Sequence, residues 1–251
     1  MFKPMHSARN RSSLITLIAV AIIVFCLSPG LSQAGSINPE AQEPKYEMGT
    51  FYLVLLIKPS NGAVPQAMPN QQLLGEHLKH VRGLLTSGKA AIAGPFLDDS
   101  RIAGVFVLNA SSPEEARTIE EADPLVKSGG FSVEVLKWWA GKGVMKSQPP
   151  TKMATYYIAF LKRGPKWTAQ RSPETEKLQA DHVANINSMA RSGKLVIAGP
   201  FENAGDYAGL FVFKVGSLDE AKALADMDPT IKAGRLISEV HSWHVPEGSL
   251  P

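Results

Sequence analysis

Residues 87–96 read SGKAAIAGPF, and residues 192–201 read SGKLVIAGPF. The two stretches differ at two of ten positions and lie 105 residues apart. The same offset aligns His77 with His182, and it aligns Asp123-Pro124 with Asp228-Pro229. Because a single ungapped offset relates all of these segments, the sequence predicts two copies of one domain.

Composition sets the borders of the two copies. We predict a first domain at residues 50–140 and a second at 154–245. Residues 141–153 between them include Pro149-Pro150, and a proline pair favours an extended, fairly stiff linker. Residues 35–49 are polar without apolar periodicity, which predicts a flexible lead-in, and residues 246–251 form a short tail.

The charge is balanced outside the N-terminal segment. The chain has 26 Lys and Arg against 23 Asp and Glu, and residues 1–34 hold Lys3, Arg9 and Arg11 with no acidic residue. The remainder therefore has a net charge of zero, so we do not expect a nucleic-acid binder. With 44% hydrophobic and 20% charged residues, the composition is that of a globular protein, and it excludes collagen, a disordered tail and a polytopic membrane protein.

The first 34 residues have the pattern of a signal peptide. Three basic residues precede an apolar run at 14–27, and Ser32 and Ala34 stand at the −3 and −1 positions of a cleavage site before Gly35. The run is shorter than the roughly 20 residues of a transmembrane helix. We expect export to a bacterial periplasm or beyond, with no stable membrane span after signal removal. An uncleaved membrane anchor stays open as the alternative.

Each copy has the same order of periodic segments. Apolar runs predict strands in the first copy at 51–57, 89–96, 102–108 and 131–139. Helical spacing of Leu74, Leu78, Val81, Leu84 and Leu85 predicts a helix over 71–87, and Ser112-Pro113 starts a second helix. The order βαββαβ is the ferredoxin-like unit, whose antiparallel sheet keeps one face free of helices.

Two such units in one chain can cover each other. We therefore predict an α+β protein made of two tandem ferredoxin-like βαββαβ domains, packed sheet against sheet as an intramolecular pseudo-dimer. Trp138 and Trp243 are expected to pack between the halves, and the two Ala-Gly-Pro runs to mark close approach of backbones. Further association into a homo-oligomer stays open.

Three motifs occur in the same order in both copies. They are the first-helix histidine, Gly-Lys-x-x-x-Ala-Gly-Pro at 88–95 and 193–200, and Asp-Pro-x-x-Lys-x-Gly at 123–129 and 228–234. This set resembles the YciI-like (YCII-related) family of dimeric α+β barrel proteins, over both repeats but not the leader, linker or tail. The resemblance implies ferredoxin-like folds paired through their sheets.

The resemblance also implies a site in each copy, built from His77 with Asp123 and from His182 with Asp228. Most members of the family have no known reaction, although a dehydrochlorinase that acts on chlorinated hydroxyquinones is similar to them and uses such a dyad. A histidine exchanges protons near neutral pH, and a carboxylate on its other nitrogen fixes the tautomer. We therefore predict a small-molecule lyase or isomerase that uses His-Asp general acid/base chemistry without a cofactor.

Two other interpretations stay open. The same pocket could serve a non-catalytic ligand-binding module, or the residues could only hold the fold of a structural or interaction protein. An aspartate before proline often caps a turn, which favours the structural alternative. The small-molecule substrate is not readable, because the loops at 59–70 and 164–175 differ in nearly every residue.

The histidine spacing does not predict a metal site. His77 and His80 are three residues apart on a helix, but the second copy has Asn185 at the equivalent position and no third ligand is evident. His241 and His244 lie on a predicted strand, where an odd spacing places side chains on opposite faces.

Cleavage of the leader can be tested directly. When the chain is expressed with its leader in an exporting bacterium, we expect the mature protein to start at Gly35, because the small residues Ser32 and Ala34 fit a signal peptidase site. Intact-mass spectrometry of the protein released from the periplasm measures the N-terminus. A mass that retains residues 1–34 would contradict the expectation.

Overall fold

The computed structural model describes residues 47–59 and 71–251. The predicted leader, residues 35–46 of the predicted lead-in and most of the loop at 59–70 lie outside the described residues. The first domain comprises β1 (Met48–Ile57), α1 (Gln71–Thr86), β2 (Ala90–Pro95), β3 (Ile102–Leu108), α2 (Pro113–Glu121), α3 (Pro124–Lys127) and β4 (Ser132–Gly141). The second comprises β5 (Met153–Arg163), α4 (Pro173–Arg191), β6 (Leu195–Glu202), β7 (Tyr207–Phe213), α5 (Leu218–Asp226), α6 (Pro229–Lys232) and β8 (Leu236–Pro246).

The predicted βαββαβ order is confirmed in both domains. Each domain adds one short helix, α3 or α6, that the apolar periodicity did not reveal, and both of these helices begin directly after an aspartate. A glycine with φ of 72° stands two residues beyond the end of the first long helix in each domain, Gly88 after α1 and Gly193 after α4, and this is the left-handed conformation that glycine adopts without strain. The strand bounds differ slightly from the prediction: β1 begins three residues earlier, at Met48, and β4 ends two residues later, at Gly141, whereas β2 is shorter and β3 is as predicted.

The eight strands form one antiparallel sheet in the order β2-β3-β1-β4-β6-β7-β5-β8. The two domains join where β4 pairs with β6 through Trp138 and Phe201. At the other end, Phe96 after β2 bridges to Trp243 on β8, so the sheet nearly closes on itself. The predicted pseudo-dimer is thus a near-barrel whose inner faces meet, with edge-to-edge hydrogen bonds between the domains as well as face-to-face packing.

The two tryptophans close this barrel in a reciprocal way. Nε1 of Trp138 donates to the carbonyl of Gly199 in the other domain at 3.1 Å, and Nε1 of Trp243 donates to the carbonyl of Gly94 at 3.2 Å. Both tryptophans are 1% exposed. They therefore pack between the halves, as the sequence predicted.

The glycines of the Ala-Gly-Pro runs lie where the two backbones come closest. A Cβ on Gly199 would lie 2.0 Å from the carbonyl oxygen of Trp139, and one on Gly94 would lie 1.9 Å from that of His244. Such distances are far inside van der Waals contact, so only glycine fits at these two positions. The runs are sites of close backbone packing, as expected.

The core has three layers. The barrel interior is filled by alternate residues of the strands from both domains, and a separate apolar cluster lies between the sheet and the helices of each domain. Of the predicted apolar face of α1, Leu84 and Leu85 are buried, but Leu74 and Leu78 are 41% and 54% exposed among the described residues. The helix itself is as predicted, and Leu84 and Leu85 near its C-terminal end are the residues of this face that join the apolar cluster over the sheet, with Val81 packed against it.

Among the described residues, no helix combines the length and the apolar character that a membrane crossing requires.

Because the backbones lie so close at Gly199, we expect one added methyl group there to lower the stability of the protein strongly. We expect Gly199→Ala to lower the free energy of unfolding by roughly 1–3 kcal/mol, because the new Cβ overpacks against the Trp139 backbone and displaces the Trp138 hydrogen bond. Urea denaturation followed by tryptophan fluorescence measures the change.

The matched control for this prediction is Gly83→Ala in α1. A Cβ at Gly83 meets nothing within 4 Å, so alanine should leave stability unchanged or raise it by about 0.5–1 kcal/mol through helix propensity. Equal midpoints for the Gly199 variant and the native chain would contradict the close-packing account.

Candidate functional site

Both aspartates of the Asp-Pro motif begin a short helix. Asp123 caps α3 and Asp228 caps α6, each with extended backbone angles and with proline at the first helical position. Proline favours extended geometry in the residue before it, and an aspartate in that geometry can accept from the second helical amide. Oδ1 of Asp123 accepts from the Leu125 amide at 2.8 Å, and Oδ1 of Asp228 accepts from the Thr230 amide at 2.9 Å.

The second carboxylate oxygen of each aspartate meets the first-helix histidine. Nδ1 of His77 lies 2.6 Å from Oδ2 of Asp123, and Nδ1 of His182 lies 2.7 Å from Oδ2 of Asp228. The structure therefore brings together both predicted pairs, across the same 46 residues of sequence in each domain. The capping role and the histidine contact coexist, because each uses a different oxygen of one carboxylate.

This contact determines where the histidine carries its proton. A carboxylate only accepts hydrogen bonds, so the ring nitrogen that faces it, Nδ1, must donate. In the neutral ring Nε2 is then the unprotonated nitrogen. The aspartates are fully buried, whereas the side chains of His77 and His182 keep 15% and 12% of their surface exposed. Each pair thus combines a buried acceptor with a partly exposed imidazole.

The second pair sits in a fully hydrogen-bonded environment. Burial disfavours the ionised form of Asp228, but donors from His182 and Thr230 outweigh burial and hold the pKa of this carboxyl below its usual value. Asn185 Nδ2 also donates to Oδ2 at 3.2 Å, and the Thr230 hydroxyl donates to Oδ1 at 2.5 Å. The ring of His182 lies nearly parallel to Phe211, with 5.9 Å between the centroids.

The first pair has different neighbours. His80 stands where the second domain has Asn185, Leu125 stands where it has Thr230, and Glu120 stands where it has Ala225. Asp123 lacks these two extra side-chain donors. Instead, the carboxylate of Glu120 and a ring nitrogen of His80 lie near it, with the potential ligand atoms of all three residues within 4.8 Å of one another.

Glu120 is the site residue that the sequence did not reveal. It is fully buried, and burial, reinforced by the nearby charge of Asp123, raises its pKa well above the usual value. The sequence carries one signal for it: Glu120 precedes Asp123 by three residues, and residues three apart lie on the same face of a helix. Glu120 is not among the residues that the two copies share, because the equivalent residue of the second domain is Ala225.

Two cavities lie near the pairs, and the residues that line them include neighbours in sequence of the paired residues but not the paired residues themselves. An open one of about 540 Å³ next to the first pair is lined by His80, Lys79 and Pro124 among others. Another of about 350 Å³ lies next to the second pair and includes Lys166, Arg235, Ser172, Thr175 and Leu178 in its wall. Leu178 is one helical turn before His182 on α4, so this cavity extends along the N-terminal side of the second pair.

The other repeated or paired residues lie away from these sites. Ser87 and Ser192 bond to carbonyls at the ends of their helices, as expected for polar helix ends. His241 lies at the barrel interior between Asp98 and Glu239, whereas His244 contacts Thr155. These two histidines are therefore on opposite faces of β8, as the odd spacing predicted.

Comparison with known families matches both domains. The model of the YCII-related domain matches residues 50–139 and again residues 156–244. A protein of Bacillus subtilis (strain 168) that is described as "Uncharacterized protein YjpA" is 35% identical over 69 residues, which are 28% of this chain and 79% of that protein.

Solved structures match the arrangement of both domains together. A novel heme-binding protein from Thermus thermophilus superposes with a TM-score of 0.50 at 10% identity, covering 79% of this chain and 93% of its own. Chlorite dismutase from Candidatus Nitrospira defluvii, in complex with imidazole, superposes with a TM-score of 0.51 at 13% identity, covering 78% and 92%. At these identities the likeness shows the fold alone, that of the dimeric α+β barrels.

Proposed function

The chain belongs to the YCII-related domain family, and from the buried His-Asp pair in each of its two domains we propose that it is a small-molecule lyase or isomerase using general acid/base catalysis. The observation that carries the proposal is the contact of Nδ1 with a fully buried carboxylate, at 2.6 Å in one domain and 2.7 Å in the other. A histidine held in this way has one tautomer and one orientation, which is what a general base requires.

The chemistry follows from the two ring nitrogens. Nε2 accepts a proton from a carbon or oxygen of the substrate, and the ring becomes an imidazolium whose charge the aspartate stabilises. The same Nε2 then returns that proton, either to a leaving group, which completes an elimination, or to another carbon, which completes an isomerisation. The histidine ends each cycle in its starting form, so no cofactor is needed for this sequence of proton transfers.

We assign the substrate to the cavity of the second domain whose wall reaches Leu178, one helical turn before His182 on α4. Its volume of about 350 Å³ falls in the range of small-molecule sites, and its wall carries Lys166 and Arg235. These cations favour a polar or anionic small molecule. The wall also includes Glu174, so the site presents charges of both signs.

The ligand of the structural relative is not carried over. The name of the Thermus thermophilus protein says that it binds heme, but 10% identity supports a shared fold and no shared ligand.

Export is part of the proposal. The basic residues, apolar run and small residues of positions 1–34 support a periplasmic or secreted location for the mature chain.

The proposal predicts that turnover depends on the two histidines. A panel of small carbonyl compounds and chlorinated hydroxyquinones is incubated with the native chain in D₂O, and NMR follows exchange of carbon-bound hydrogen, isomerisation and elimination. For an active compound, we expect His77→Ala with His182→Ala to lower the rate by about 10²–10⁴, the usual contribution of a positioned acid/base group. Each single variant measures how much of the total rate depends on the histidine of that domain.

The control is His244→Ala, since His244 lies outside both pairs and its Nδ1 is 3.2 Å from the Thr155 hydroxyl. This variant should retain the native rate. Thermal melts of all variants separate a lost base from a lost fold. Binding of a panel compound with no exchange or elimination by the native chain, or full activity of the double variant, would contradict catalysis and favour the ligand-binding alternative.

A further inference from the structure

The first domain contains three groups that could share one cation, of which two are buried and His80 is partly buried. His80 on α1, Glu120 on α2 and Asp123 at the start of α3 come from three successive helical elements. One ligand atom from each lies within 4.8 Å of the other two. The side chains of Glu120 and Asp123 are fully buried, so this cluster lies under the helices and is not a patch of surface charge.

Two residues of this cluster have buried polar atoms without a hydrogen-bond partner among the described residues. Among the described residues, neither carboxylate oxygen of Glu120 has a hydrogen-bond partner, and neither does the buried Nε2 of His80. A buried polar group without a partner is strongly unfavourable, so such groups are rare unless a water or an ion occupies the space between them. Here unpaired atoms on two residues lie beside the carboxylate of Asp123.

In the second domain, hydrogen bonds alone satisfy the equivalent aspartate. Asn185 and the Thr230 hydroxyl fill the acceptor positions of Asp228, and Ala225 removes the second carboxylate. In the first domain Asp123 accepts from His77 and from the Leu125 amide. Since two carboxylate oxygens have about four lone-pair positions, Asp123 keeps room for a further ligand.

The charges also suit a divalent cation. A neutral imidazole and two carboxylates carry a charge of −2, which one divalent ion would neutralise in a site where isolated charges are costly.

We propose that His80, Glu120 and Asp123 bind one divalent first-row transition-metal ion in the first domain, and that the second domain has no equivalent site. Imidazole nitrogen and carboxylate oxygen are ligands that Zn²⁺ and its neighbours accept. Ligand atoms around tetrahedral Zn²⁺ lie about 3.4 Å apart, so small rotations of these side chains complete the geometry.

The surroundings of the ion are those of an open site. Three protein ligands leave one tetrahedral position, and His80 also lines the cavity of about 540 Å³ beside α1. His77 bonds to the ligand Asp123 and would orient it from outside the coordination sphere, as hydrogen-bonded partners of metal ligands commonly do. The two domains would then differ in chemistry while sharing one fold.

This inference does not depend on the proposed catalytic function. The second pair, His182 with Asp228, lacks the extra ligands, so acid/base turnover there neither requires nor excludes a metal in the first domain.

Metal titration tests the site. The purified, untagged chain is dialysed against chelator and titrated with Zn²⁺ by calorimetry at pH 7.5, and with Co²⁺ followed by visible absorption. We expect one strong site per chain and the d–d bands of a four- or five-coordinate cobalt ion. His80→Asn with Glu120→Ala reproduces the residues of the second domain and should weaken Zn²⁺ binding by at least about 100-fold.

The reciprocal variant keeps the test decisive if those substitutions perturb folding. Asn185→His with Ala225→Glu places the same ligands beside Asp228, and it should raise the stoichiometry from one to two ions. Circular dichroism melts compare all variants. If Glu120 is protonated and no metal binds, the native chain has no strong Zn²⁺ site. That result would overturn the proposal, and so would unchanged Zn²⁺ binding in the His80/Glu120 variant.

Discussion

The structure depends on the seam where the two domains share a barrel. At each end of the seam a tryptophan reaches across and donates to the carbonyl of a glycine in the other domain, Trp138 to Gly199 and Trp243 to Gly94. The glycines are necessary because the opposing backbone leaves no room for a Cβ. With the barrel interior closed in this way, the described helices lie outside the sheet, and each domain keeps its own site between its first long helix and its short helix.

Within each domain a single aspartate links local structure to chemistry. Because it precedes proline, it is held in the extended conformation that caps a short helix, and one oxygen satisfies that role. The other oxygen is then aimed at the histidine of the preceding long helix. The hydrogen bond that caps the short helix therefore also fixes the position of the carboxylate that the histidine contacts. The two domains diverge around this shared element: Asn185 and Thr230 complete the second pair with hydrogen bonds, whereas His80 and Glu120 surround the first with groups suited to a cation.

Much of this could be predicted from the sequence because the chain repeats itself. The offset of 105 residues revealed the domains, and within them the repeated His and Asp identified the pairs that the structure brings together. Glu120 could not be found in this way, since its environment depends on how α2 packs against α1 and α3, and its counterpart is Ala225. The exposure of Leu74 and Leu78 likewise could not be read from their helical spacing. Helical spacing shows that residues share a face, but only the position of the helix over the sheet decides how much of that face is covered.

The central claim is that a buried aspartate holds each histidine with its proton on Nδ1 and leaves Nε2 as the base. Long-range ¹H–¹⁵N correlation spectra of the histidine rings, assigned with His77→Ala and His182→Ala, measure the tautomer directly at a pH where the rings are neutral. The account predicts the Nδ1–H form for both, and a shift toward Nε2–H in Asp228→Asn for His182 alone. An Nε2–H tautomer for both histidines in the native chain would contradict the account.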